Sequence, residues 1–160
     1  MKKIAIATLG CKVNQFESAS FSSAFARAGC ELVPFNGPAD VYVINTCAVT
    51  GRAGQQSRQL IRRAIKTNPR ARLVLTGCYV QMAPQSILDL TDQPLCLVGN
   101  GNKHLVVASA LAEDSCDLAV LMDNVGRKKE ITPLPVTRFP DRTRAFLRIQ
   151  DGCNNFCSYC

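Results

Sequence analysis

Three times this chain runs an apolar stretch into a cysteine, and that repeated unit restricts the fold more than any other feature. KIAIATLG leads to Cys11, VYVINT to Cys47 and RLVLTG to Cys78. Runs that do not alternate cleanly between apolar and polar are buried on both faces, as strands are in a parallel sheet covered by helices. Strands are expected at Lys3–Leu9, Val41–Thr46, Arg72–Thr76 and Leu95–Val98. A shorter extended piece, Glu31–Val33, joins them or runs beside the sheet edge. Between them the spacing predicts helices at Gln15–Ala28, Gly54–Thr67, Pro84–Leu90 and Lys103–Ala112. Gly29 can end the first, and Pro69 lies just beyond the second, where helices stop. Strand and helix alternate, so the fold class is α/β: an open, mostly parallel sheet with helices on both faces.

This pattern, doubly wound and flavodoxin-like, occupies residues 1–122. From 123 to 142 the character changes: NVGRKKEITPLPVTRFPDR has three prolines, a basic knot and little periodicity, and reads as an interdomain linker. Residues 143–160 start a second unit, with TRAFLRIQ as a fresh strand followed at once by DGCNNFCSYC. The opening MKKIAIATLG has two lysines before an apolar stretch, but that stretch leads into Cys11, Lys12 and Asn14 and lacks a small-residue cleavage site. No apolar run reaches the roughly 18 residues that span a bilayer. A cytoplasmic address is expected. The chain carries a net charge of +7, concentrated toward the end, where residues 126–160 hold 7 basic and 3 acidic side chains. Such an excess suits a polyanionic partner.

Nine cysteines in 160 residues is a high and odd count. Without an export signal, it points to metal or redox chemistry rather than disulfides. Cys11, Cys47 and Cys78 occupy matching places, each at the carboxyl end of a strand and just before a helix. In an open parallel sheet those ends share the edge where ligands bind. Three thiolates converging there could hold three irons of a 4Fe–4S cluster and leave the fourth open. Cysteine also serves as a small buried residue near strand ends, and the pattern alone leaves both readings open. Cys30, Cys96 and Cys116 lack that placement and read as small core residues. Cys153, Cys157 and Cys160 form C-x3-C-x2-C, tight enough to wrap three thiolates round one cluster with one iron free for a chelating small molecule. A zinc site would need a fourth ligand that the sequence does not show nearby.

C-x3-C-x2-C after a strand resembles the radical S-adenosylmethionine enzymes, whose open iron binds the amino and carboxylate groups of that cofactor. TLGCKVNQFES (Thr8–Ser18), INTCAVT (Ile44–Thr50) and LTGCYVQ (Leu75–Gln81), in that order, resemble the N-terminal domain of the methylthiotransferases. GCKVNQFES is most similar to the branch that acts on N6-threonylcarbamoyladenosine in tRNA. The isopentenyladenosine branch tends to carry Gln-Met-Asn after its first cysteine and the ribosomal-protein branch Pro-Lys-Asn, where this chain has Lys12, Val13 and Asn14. The resemblance implies two 4Fe–4S clusters: an auxiliary one on Cys11, Cys47 and Cys78, involved in sulfur delivery, and one on Cys153, Cys157 and Cys160, which cleaves S-adenosylmethionine. It implies a methylthio group replacing the C2 hydrogen of adenosine 37 in the tRNA anticodon stem-loop. The rest of the radical barrel and the family's usual C-terminal RNA-binding module are not in these 160 residues, so the piece alone is expected to be inactive.

From Arg52 to Arg72 there are seven basic residues and no acidic one. Arg58, Arg62 and Lys66 are spaced by four and share a helix stripe that can contact phosphates without reading sequence. The same stripe could equally be plain solvated surface. His104 has no obvious partner and receives no role. A ribosomal-protein methylthiotransferase and a non-catalytic metal-binding α/β module are the competing functions. No Walker or Gly-x-Gly-x-x-Gly sequence supports nucleotide binding by a phosphate loop.

Overall fold

A computed structural model describes residues 1–112, 119–125, 133–139, 144–150 and 155. Six strands form one all-parallel sheet: β1 (Lys3–Thr8), β2 (Glu31–Val33), β3 (Val41–Thr46), β4 (Arg72–Gly77), β5 (Leu95–Val98) and β6 (Ala119–Leu121), in the order β2-β1-β3-β4-β5-β6. The apolar runs behave as expected: every residue of β3 and β5 is buried. The Glu31–Val33 piece is the edge strand, paired with β1. β6 was not among the expected strands.

The helices are α1 (Lys12–Arg27), α2 (Gly51–Thr67), α3 (Cys78–Met82), α4 (Pro84–Leu88) and α5 (Val106–Leu111). The chain steps one way from β1 to β2 and the other way from β3 through β5. Right-handed crossovers then put α1 on one face and α2 to α4 on the other. Each face has its own core. Phe21 and Phe25 of α1 and Val106 and Ala110 of α5 pack on Ile4, Val41, Val43, Val74 and Val98. Ile61 and Ala64 of α2, with Ile87 of α4, pack on Tyr42, Ile44, Leu73 and Leu75. Adjacent residues of one strand thus serve opposite cores, as the two-residue period requires.

Several helix limits differ from expectation. α2 starts three residues early because the Thr50 side chain accepts a hydrogen bond from the Ala53 N–H and caps it. The helix expected over Lys103–Ala112 begins in the last three residues of a 3-10 turn, Asn100–Leu105, and α5 follows at Val106. Residues 144–150, expected to form a strand, are in none. Nearby, residues 133–139 lie against α1. The Ser20 hydroxyl donates to the Pro135 carbonyl at 2.9 Å, the Thr137 N–H donates to Ser23 Oγ at 3.2 Å, and Leu134 is buried in the α1–α5 core. Phe139 bridges Phe16 and Phe146, with ring centroids 6.1 and 5.7 Å away. No helix among the described residues is long and apolar enough to cross a membrane.

Candidate metal centre

The strand order reverses between β1 and β3, and in open sheets of this kind the crevice beyond the carboxyl ends at that point is the binding place. Cys11 lies on the loop after β1 as the N-cap of α1, Cys47 follows β3 directly, and Cys78 follows β4 directly as the first residue of α3. Thr46 pairs with Gly77 across the ladder, which sets Cys47 and Cys78 side by side, while the Leu9 N–H donates to the Asn45 carbonyl and brings the Cys11 loop alongside. The thiols grade from exposed Cys11 through half-buried Cys78 to buried Cys47. Burial pushes the Cys78 thiol above its usual range, Lys103 pulls it back, and the charges of Cys47, Cys11 and Glu17 push it up further. Cys47 and Cys11 therefore both lie within electrostatic reach of the Cys78 thiol.

Two glycines make the approach possible. Gly10, at φ +98°, leaves the space where a Cβ would sit 2.7 Å from Cys47 Sγ. Gly77, at φ +100°, lies so close over β3 that a Cβ would meet the Thr46 backbone nitrogen at 2.6 Å and Asn45 Oδ1 at 2.7 Å. Both are backbone conformations that side-chain-bearing residues rarely adopt.

Polar side chains beneath the loops tie them together. Asn14 Nδ2 donates to the carbonyls of Leu9 (2.6 Å) and Thr46 (3.0 Å), joining the Cys11 and Cys47 loops. The Thr46 hydroxyl donates to the Thr76 carbonyl at 2.6 Å and accepts from the Val80 N–H at 3.3 Å, joining the Cys47 and Cys78 loops. The Cys11 thiol approaches Asn14 Oδ1 at 3.8 Å. Asn45 Oδ1 and Thr76 Oγ1 are buried without a hydrogen-bond partner among the described residues. Asn14 entered the sequence reading only as the end of the Lys12, Val13, Asn14 triplet, and Asn45, Thr46 and Thr76 were not singled out. The available signal was the polar ending of each apolar strand, Asn45–Thr46 and Thr76–Gly77, and the glycine before two of the three cysteines.

Cys30 and Cys96 belong to the α1–α5 core, away from this edge. Cys116, Cys153, Cys157 and Cys160 lie outside the described residues. Among the described residues no three His, Cys, Asp or Glu side chains are grouped to hold a single metal ion. The basic stripe is divided in use. Arg62 and Lys66 are exposed, whereas the Arg58 guanidinium donates to the Tyr79 hydroxyl at 2.6 Å and lies 5.8 Å from its ring centroid. Arg58 is thereby anchored to the residue next to Cys78. His104 is exposed.

The model of the Uncharacterized protein family UPF0004 matches residues 3–99. Over all of its residues the chain is 39% identical to the threonylcarbamoyladenosine tRNA methylthiotransferase MtaB of Bacillus subtilis, of which it covers 36%. It is also 39% identical, over 99% of its length, to the protein of the same name from Aquifex aeolicus, of which it covers 38%. The ribosomal protein uS12 methylthiotransferase RimO of Dictyoglomus thermophilum is 27% identical over the whole chain, which covers 37% of it. The chain thus spans little more than a third of the length of these relatives.

Proposed function

The chain belongs to the UPF0004 family of methylthiotransferase sequences, and from that membership we propose that it is part of a tRNA-modifying enzyme that methylthiolates C2 of N6-threonylcarbamoyladenosine at position 37. The observation that carries the reading is the position of Cys11, Cys47 and Cys78 at adjoining strand ends across the point where the sheet order reverses. Identity of 39% to the threonylcarbamoyladenosine enzymes of Bacillus subtilis and Aquifex aeolicus, against 27% to the uS12 enzyme of Dictyoglomus thermophilum, favours tRNA over a ribosomal protein as substrate.

The donor set suits a 4Fe–4S cluster. Thiolates are soft, anionic ligands, and the missing Cβ of Gly10 leaves room beside Cys47 Sγ. A single tetrahedral ion draws thiolates to about 3.8 Å of one another, given a metal–sulfur bond of about 2.3 Å. A cluster binds each cysteine through a different iron and so accepts wider spacing. In this reading Cys11, Cys47 and Cys78 hold the auxiliary cluster, while Cys153, Cys157 and Cys160 hold the one that binds S-adenosylmethionine. When bound, the first supplies a site for sulfur delivery and the second the electron for reductive cleavage of S-adenosylmethionine.

The protein's own part is binding, orientation and exclusion of water. Asn14 and Thr46 keep the three cysteine loops in register through their hydrogen bonds. Arg58 holds Tyr79 and with it the start of α3, while exposed Arg62 and Lys66 offer cations to the phosphates of the anticodon stem-loop. A cytoplasmic location accords with tRNA as partner. The deciding test is mass spectrometry of tRNA nucleosides from cells lacking the gene. Loss of 2-methylthio-N6-threonylcarbamoyladenosine is expected, with its unmethylthiolated precursor accumulating. An unchanged nucleoside profile, with loss of methylthiolation on ribosomal protein uS12, would overturn the assignment.

A further inference from the structure

A cavity of about 330 Å³ opens between the start of α1 and residues 145–150, and the proposed ligation by the three cysteines does not use it. Val13 and Phe16 of α1 line one side, and Phe146, Leu147 and Ile149 the other. Two cations cross between the sides. The Lys12 ammonium of α1 lies over the Phe146 ring, 6.0 Å from its centroid. The Arg148 guanidinium lies over the Phe16 ring at 5.4 Å. Each is close enough for attraction to the ring face. No acidic residue lines the cavity, and the first turn of α1 holds none. Among the described residues no carboxylate pairs with Lys12. The space is that of a small-ligand site, with aromatic walls and an excess of positive charge.

Its place in the fold suggests the occupant. Lys12 follows Cys11, the N-cap of α1, so the cavity adjoins the cysteine edge. We propose that it receives the N6 substituent of adenosine 37, and that Lys12, together with Arg148, binds the carboxylate of that substituent. The inference rests on the reading of threonylcarbamoyladenosine as substrate. A threonylcarbamoyl group joins a flat urea to a short chain that ends in a carboxylate. The urea can lie against the phenylalanine rings while the carboxylate meets the cations in charge-assisted hydrogen bonds. The start of α1 adds the partial positive charge of a helix N-terminus. In adenine both C2 and C6 are bonded to N1, so the substituent on C6 lies beside the C2 edge. A base that turns C2 toward Cys11, Cys47 and Cys78 thus brings its substituent to the neighbouring cavity. An unmodified adenosine, or one with an uncharged substituent, forgoes the pairing with the two cations, and that difference sets the choice of substrate.

The test uses the full-length enzyme, reconstituted anaerobically, and three anticodon stem-loop RNAs. They carry at position 37 N6-threonylcarbamoyladenosine, its methyl ester, or plain adenosine. Nucleoside mass spectrometry of the parent's product examines the substrate reading on its own. A parent that leaves threonylcarbamoyladenosine unmethylthiolated refutes that reading, and the inference with it. With an active parent, fluorescence anisotropy reads the affinity for each RNA. The parent should bind the free carboxylate about tenfold more tightly than the ester. Lys12→Met should remove most of that preference and leave binding of the adenosine RNA within about twofold. Lys12→Arg should keep the preference, and Arg148→Met should reduce it. Lys12 is exposed, so its replacement leaves the core intact, and binding of the adenosine RNA reports a folded variant. A preference that survives Lys12→Met, or an equal loss of affinity for all three RNAs, would overturn the proposal. The equal loss would assign Lys12 to backbone phosphate instead.

Discussion

Replacing Gly77 by alanine should destabilise the domain far more than the addition of one methyl group suggests. The residue closes β4 at φ +100° and ψ −174°, a region open essentially to glycine alone. Its added Cβ would run into the Thr46 carbonyl oxygen, the Thr46 nitrogen at 2.6 Å and Asn45 Oδ1 at 2.7 Å. Two of these three atoms are backbone of the central strand β3, held in place by its pairing with β1 and β4. The disfavoured backbone costs about 1–3 kcal/mol and the overlap about 1–3 kcal/mol more. The sum, about 2–6 kcal/mol, is a large share of the 5–15 kcal/mol by which domains are typically stable. Gly29 supplies the comparison. It has φ +73°, but no heavy atom lies within 4 Å of the position its Cβ would take. Gly29→Ala should therefore cost only the left-handed backbone penalty of about 1–2 kcal/mol. Urea unfolding of the metal-free protein under reducing conditions measures both. With a slope of about 1–3 kcal/mol per molar, Gly77→Ala should lower the midpoint by about 1–3 M and Gly29→Ala by about a third to a half of that. Equal losses in the two variants would refute the argument that contact with β3 sets the requirement.

Gly10→Ala directs its strain at a side chain instead of a strand, since its Cβ would lie 2.7 Å from Cys47 Sγ. Iron content after reconstitution should fall while the urea midpoint moves less than in Gly77→Ala. Serine at Cys11, Cys47 or Cys78 should abolish iron uptake at the first site. Cys96→Ala should keep uptake and lose about 1–2 kcal/mol of stability, because its thiol fills the α1–α5 core. Replacing Arg58, Arg62 and Lys66 by alanine should weaken tRNA binding and reduce the slope of log affinity against log salt by up to about one per lost contact. Most of that change should come from Arg62 and Lys66, because Arg58 is engaged with Tyr79, and a titration of each single variant at several salt concentrations separates them.

The strands β1, β3, β4 and β5, their parallel arrangement and the placement of three cysteines at strand ends were legible in the chain, because they follow from short-range rules. VYVINT and RLVLTG are apolar on both sides, so they must be covered on both faces, and a residue just past such a strand can only emerge at the carboxyl edge. α1 was harder to read. It buries Ser18, Ser20 and Ser23 beside Phe21 and Phe25, a mixture that has no clear apolar stripe. The structure explains the serines: residues 133–139 lie along the helix and take hydrogen bonds from or to Ser20 and Ser23. A helix covered on two sides does not show the periodicity of one facing water. Nor could any local pattern reveal that Glu17 meets Lys103, or that Asn45 ties Glu17 to the cysteine edge. Those partners lie on different elements, and charge reaches through space without regard to chain separation. Which polar groups meet is decided only when the sheet order brings β1, β3 and β5 to one edge and the helices close over them.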